Sequence, residues 1–348
     1  MPAGNKTLHS ASAFVEARLI KPDRLDALQK VAARYAVAIT PALIDLIDTA
    51  DPHDPIARQF VPYEYELESL PEENADPIGD EAHSPVPGVV HRYPDRVLLK
   101  LLNACAVYCR FCFRREMIGP GRGALTGRAL TAAIDYIART PEIWEVILTG
   151  GDPLLLPPRR LKDVVTRLAV IDHVKVIRLH TRIPVAAPER VTPALLCALQ
   201  TDKAMFIVLH ANHPRELSSE ARAACARVID AGIPMLSQSV LLRGVNDDAD
   251  TLGALMRALV ECRIKPYYLH HADLAPGTAH LRTSIMEGQA LMRALHGRYS
   301  GLCQPHYVLD IPGGHGKSPI GPTYLSADGN EITDFNGARH AFPPRRPD

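Results

Sequence analysis

From residue 96 onward the chain is a succession of short apolar runs of strand length separated by amphipathic stretches of helical period. That alternation restricts the fold more than any other feature of its 348 residues. The runs fall at 97–102, 145–149, 174–180, 205–210, 234–240 and 265–270. Between them, residues 250–261 place Leu252, Leu255, Met256 and Leu259 on one helical stripe suited to packing on a sheet. An α/β fold with a parallel sheet follows. Periodicity alone leaves open whether the six crossovers build an open sheet or a partial barrel. In either case the chemistry is expected at the C-terminal ends of the strands.

Those ends are polar one after another: Asn103, Gly150-Gly151-Asp152, His180-Thr181-Arg182, His210 to His213, Ser237-Gln238-Ser239 and His270 to Asp273. Solvation alone does not explain so regular a pattern. Residues 1–90 read differently, rich in Pro, Asp and Glu around one helix-like stretch at 23–34, and form an accessory, largely helical N-terminal region.

Lys plus Arg and Asp plus Glu are equal at 39 each, so no global field draws the chain to nucleic acid or an anionic membrane. The first 21 residues lack a signal-peptide apolar core, and no run approaches the ~18 apolar residues of a membrane span, so a cytoplasmic location is expected. The seven cysteines then suit a reducing compartment better than a disulfide scaffold. Cys197, Cys225, Cys262 and Cys303 are scattered singly and read as small buried apolar residues.

Cys105, Cys109 and Cys112 are different, because they share one loop directly after the first strand in a C-x-x-x-C-x-x-C spacing. A structural zinc site wants four protein ligands, and no His or fourth Cys stands nearby. Three cysteines suit a [4Fe-4S] cluster with one iron left open to a cofactor.

The motif resembles that of the radical S-adenosylmethionine superfamily, in which the open iron chelates the amino and carboxylate groups of the cofactor. Several more segments, in order, resemble the lysine 2,3-aminomutase family: His91 to Arg96, Cys109 to Arg115, Thr149 to Pro153, Ser237 to Asp247 and Asp310 to Lys317. The similarity runs from about residue 60 to about residue 325. It implies a partial (β/α)6 barrel of TIM type over 91–305, and a C-terminal segment, 306–348, that brings Lys317 to the barrel mouth.

By this resemblance Lys317 holds pyridoxal 5′-phosphate as a Schiff base, and Arg92, Tyr93 and Arg96 bind that cofactor's phosphate. Phe111 lies against the adenine of S-adenosylmethionine, Gly150, Gly151 and Asp152 meet its amino group, and His210 and Gln238 add further cofactor contacts. A phosphate-binding P-loop is excluded at Lys317, because Ile311 stands where that motif needs its first Gly. Arg114 matches the family's partner for the substrate carboxylate, and Asp273 and Asp310 its partners for a side-chain ammonium, which favours lysine. The neighbouring Arg115 is expected to face solvent.

The implied reaction is the interconversion of L-lysine and β-lysine, with an electron donor such as flavodoxin or ferredoxin, and a homo-oligomer is expected. The rivals are a relative that makes β-lysine for elongation factor P, an aminomutase for another amino acid, and a non-catalytic iron–sulfur protein. The C-terminal cysteine group that binds zinc in longer relatives is missing, so no zinc is expected. Glu116 and His315 depart from the family's pattern close to the implied site.

Overall fold

In the computed structural model, residues 6–121 and 123–344 are described. Four short helices come first: α1 (Ala11–Glu16), α2 (Leu25–Arg34), α3 (Pro41–Ile44) and α4 (Pro55–Phe60). Of the expected helix at 23–34, the part from Leu25 is α-helical, and a 3-10 turn over Pro22–Arg24 precedes it. Phe14, Leu28, Val31, Ile39, Leu43, Ile56 and Phe60 build a small core of their own, closed by Val107 of the cysteine loop. The acidic, Pro-rich region is therefore packed onto the segment that carries the thiols.

One nine-stranded sheet follows, its strands hydrogen-bonded in chain order. They are β1 (Val89–Tyr93), β2 (Arg96–Leu102), β3 (Glu145–Gly150), β4 (Val176–Thr181), β5 (Ala204–His210), β6 (Met235–Leu241), β7 (Ile264–His271), β8 (His306–Ile311) and β9 (Gly316–Pro319). Strands β2 to β8 are parallel, and β1 and β9 pair antiparallel at the two edges. All six expected strands are present. The seventh parallel strand and both edge strands were not expected: His306, Asp310 and Lys317 interrupt the apolar pattern of β8 and β9, and β1 turns polar at His91-Arg92 after only two apolar residues.

The sheet curls until its edges nearly meet, as a partial barrel. Across the seam the Lys317 backbone N–H on β9 donates to the Tyr93 hydroxyl on β1 at 2.6 Å. A side chain thus bridges edges that no backbone ladder joins.

Helices α5 (Gly127–Ala138), α6 (Pro158–Ala169), α7 (Ile183–Ala186), α8 (Pro193–Ala198), α9 (Ser219–Asp230), α10 (Ala249–Glu261) and α11 (Ile285–Leu295) connect the strands. In α10 the expected stripe Leu252, Leu255, Met256 and Leu259 is buried, and the Asp248 carboxylate caps the helix by accepting from the Asp250 and Thr251 N–H groups. Strand alternation sorts the rest. Val97, Leu99 and Leu101 of β2 join the main core outside the barrel, while Arg96, Leu98 and Lys100 point to its interior. Among the described residues no helix is long and apolar enough to cross a membrane.

Candidate active site

The barrel interior holds a cavity of about 720 Å³, and every site residue expected from the sequence lines it. Its walls also include Glu145, Arg178, His306 and Trp144, near the N-terminal ends of their strands. The cavity thus reaches beyond the C-terminal strand ends at which the chemistry was expected. Large side chains do not fill the barrel's axis, so the opening extends along it.

Three thiols hang at one end. The loop after β2 is held from the N-terminal region: Tyr108 N–H donates to Ala38 O at 3.1 Å, and Arg110 N–H to Gln59 O at 2.8 Å. The Glu66 carboxylate is fully buried and accepts from Arg110 Nε at 3.0 Å, from Arg110 Nη2 at 2.6 Å, and from Arg115 Nη2. Arg115 is only 5% exposed, so the expectation that it faces solvent is wrong: its guanidinium is drawn inward by Glu66 and by the Gly277 carbonyl. Burial opposes ionisation of Glu66, yet Arg110 and Arg115 hold its acidity stronger than usual.

Burial pushes the Cys105 thiol well above its ordinary range, Cys109 to about 11, and Cys112 upward, while the Arg182 guanidinium works against burial at Cys109. Ligation therefore displaces a proton from each sulfur. Among the described residues no three metal-binding side chains close around a single ion. Thiols that each hold a different iron of a cluster need no such convergence, and three with no fourth suit a cluster with an open iron. None of the seven cysteines is paired; Cys225, Cys262 and Cys303 are buried as expected, whereas Cys197 is exposed.

The turn after β3 lies tightly against this loop. A Cβ on Gly151 would stand 2.1 Å from the Ala104 carbonyl oxygen, and Gly150 has a φ of +113° with a would-be Cβ 2.4 Å from Leu102 O. Asp152 is occupied by its own fold: it accepts from Leu154 N–H, from the Thr181 hydroxyl at 2.7 Å, and from Arg182 N–H at 2.7 Å. What the turn offers the cavity is backbone. Phe111 packs beside Leu242, Val245, Ala272 and Leu281, with Arg182 5.6 Å from its ring centre.

Lys317 stands at the seam. Its ammonium pairs with Asp310 and lies 3.4 Å from His270 Nδ1. Burial works against ionised Asp310, but the His270 ring and Lys317 hold its carboxyl well below the ordinary range. Burial together with the Asp310 charge pushes Asp273 up to about 7. Burial and Lys317 lower His270 to about 4, so the ring is neutral at pH 7.

The arginines divide their donors. Arg114 Nε donates to Asp80 at 2.9 Å, and Arg92 Nη2 donates to both Asp80 and the Ile78 carbonyl. Arg96 lies over the Tyr93 ring at 3.9 Å and pairs with Asp95. Arg92 Nε, His180 Nε2 and His210 Nε2 are buried around the cavity with no hydrogen-bond partner among the described residues. Burial, aided by Arg178 at the first and Arg182 at the second, keeps both histidines neutral, His210 at about 3. Orphaned polar atoms of this kind are where a bound group finds its hydrogen bonds. Gln238 is buried on the inner face of β6.

Glu66, Asp80, Tyr268 and the Arg178–Glu145 pair, joined at 2.9 Å, were not singled out from the sequence, and His270 was noted only as part of a polar strand end. Alternation along β4 and β7 could have found Arg178, Tyr268 and His270. For Glu66 and Asp80 no periodic signal exists.

The profile of the radical SAM superfamily matches residues 99–255. An L-lysine 2,3-aminomutase of Acetoanaerobium sticklandii is 40% identical over 314 residues, covering 90% of this chain and 76% of that protein. One from Clostridium subterminale is 41% identical over 304 residues, with 86% and 73% covered. A glutamate 2,3-aminomutase of Clostridioides difficile is 37% identical over 304 residues, with 87% and 72% covered.

Proposed function

This chain belongs to the lysine 2,3-aminomutase family of radical SAM enzymes, and from that premise we propose that it interconverts L-lysine and β-lysine, with Lys317 as the pyridoxal phosphate lysine. It is an isomerase, with the [4Fe-4S] cluster and S-adenosylmethionine that its superfamily implies.

When bound, the cluster and S-adenosylmethionine supply hydrogen abstraction from an unactivated carbon, and pyridoxal phosphate supplies a ring over which an unpaired electron spreads. The chain's own residues do the rest. Cys105, Cys109 and Cys112 hold the cluster, and the backbone of Gly150 and Gly151 lets a cofactor approach it. Lys317 suits a Schiff base, being a primary amine in a cavity that Arg92 and Tyr93 also line, with its backbone N–H tied to the Tyr93 hydroxyl. Arg92, Tyr93 and Arg96 are our candidates for its phosphate.

The observation that carries the substrate assignment is the pair Asp273 and Asp310 in the same cavity as Arg114. Arg114 can take a carboxylate. Asp310 neutralises Lys317 while that amine is charged; once the amine is engaged elsewhere, Asp310 is left needing a cation, which a substrate ammonium provides. A glutamate side chain would instead face two carboxylates. Residues 1–90 serve in this reading as cover for the cysteine loop, 91–305 as the barrel and 306–348 as the lysine-bearing segment. It also calls for a one-electron donor, a cytoplasmic setting and a homo-oligomer.

Anaerobically reconstituted enzyme is expected to convert L-lysine to β-lysine and to spare L-glutamate. Borohydride reduction with peptide mapping should place the pyridoxyl group on Lys317. Turnover of glutamate in preference to lysine, or a label on another lysine, refutes the assignment.

A further inference from the structure

The segment between residues 76 and 84 forms a strap across the seam end of the cavity, and its geometry is over-determined. Asp80 N–H and Glu81 N–H both donate to the Asp76 carboxylate at 2.8 Å, and the Ser84 hydroxyl donates to Asp80 O at 2.7 Å. The strap also grips the glycine loop that leads to Lys317. His83 Nε2 lies 3.0 Å from Gly314 O, and a Cβ on Gly79 would stand 2.7 Å from Gly314 N.

Into this frame the strap sets one carboxylate with no solvent exposure. Asp80 accepts from Arg114 Nε at 2.9 Å and from Arg92 Nη2 at 3.2 Å. The side-on contact through Nε matters. It leaves both terminal nitrogens of Arg114 without a hydrogen-bond partner among the described residues, on a guanidinium that lines the cavity. A planar fork fixed at its stem is pre-organised for a second, bidentate carboxylate.

We infer that Asp80 is a positioning residue for recognition of the substrate's α-carboxylate, holding Arg114 so that its terminal nitrogens face the cavity as a rigid fork. This rests on the aminomutase reading and deepens it. The alternative is a plain counter-ion, which would stabilise the fold without affecting which substrate is preferred.

The test compares L-lysine with L-lysinamide, which keeps both amines and loses only the carboxylate charge, on holoenzyme of wild type, Asp80→Asn and Asp80→Glu. Equilibrium binding of L-lysine without S-adenosylmethionine is measured alongside. Wild type is expected to favour lysine strongly. In Asp80→Asn, KM and the dissociation constant for lysine should rise about 10-fold or more with a smaller change in kcat, and the preference over lysinamide should shrink by a similar factor. Asp80→Glu should recover part of it. Equal losses for both substrates overturn the inference, as does failure of both variants to fold and load iron, which would mark a structural carboxylate. If wild type acts on no α-amino acid, it is the functional reading that fails.

Discussion

Replacing Glu66 by Gln removes one charge and almost no volume from a site with no exposed surface. Two guanidiniums depend on that charge, on Arg110 at 2% and Arg115 at 5% exposure, and neither can reach water without unpacking the cysteine loop. Breaking a buried pair by removing one partner costs about 3–5 kcal/mol. With roughly 2.1 cal/mol/K of unfolding entropy per residue over 348 residues, or about 0.73 kcal/mol/K, the melting temperature should fall by about 4–7 °C. Burial opposes the Glu66 charge but the arginines prevail and hold its pKa below the ordinary value, so its contribution is complete above about pH 4.3 and is lost as pH falls through the lower, folded value. The gap between wild type and variant should therefore close in acid. Because Arg110 lies between Cys109 and Cys112, iron content should fall too. Thermal melts of anaerobic protein at several pH values, with iron assayed in parallel, measure both effects. Glu64→Gln is the control: on the same turn, its pair with Arg24 is partly exposed at 30% and 41%, and such pairs contribute at most about 1 kcal/mol. Equal behaviour of the two variants, or a Glu66→Gln shift under about 1 °C with full iron, refutes the reasoning.

Asp273 behaves in the opposite sense. Its folded value of about 7 lies above the ordinary carboxylate range, so between about pH 4 and 7 the folded protein holds a proton that the unfolded chain releases, and stability from this group declines as pH rises through that window. Asp273→Asn should thus melt no lower than wild type at pH 8 without substrate, while lysine turnover drops by about 10- to 1000-fold; a lower melting temperature with normal turnover contradicts both halves. Gly151→Ala should displace the cysteine loop, since the added Cβ meets the Ala104 backbone at 2.1 to 2.7 Å with no flexible side chain to yield, and the readout is iron per chain in anaerobically reconstituted protein. Iron content equal to wild type would show that the loop can shift without harm.

Contiguous features carried their meaning in the chain itself. Six of the seven inner strands were readable because a strand packed against helices needs a largely apolar run, and the stripe of α10 because one helical face must pack. The thiols of Cys105, Cys109 and Cys112 share one loop, so spacing alone restricted what they could bind. Gly150 and Gly151 stood out as a motif at a strand end, but the close approach of the Ala104 and Leu102 backbone to them is visible only in the fold. Asp152 stood in that same motif, but only the fold revealed that Thr181 and Arg182 use up its oxygens.

Other features had no local signal. Glu66 and Asp80 sit in a stretch whose composition reads as solvated, and each becomes a buried counter-ion through arginines 44, 49, 12 and 34 residues away. The bond between Lys317 and Tyr93, 224 residues apart, brings the barrel's edges together and sets Lys317 beside β1. Strands β8 and β9 escaped notice because their inward positions carry His306, Asp310 and Lys317, groups that a cavity tolerates and a packed core would not. Periodicity reports the face a segment buries against its neighbours. Which distant charge a buried carboxylate meets depends on how the sheet curls, and that is set by packing across the whole barrel.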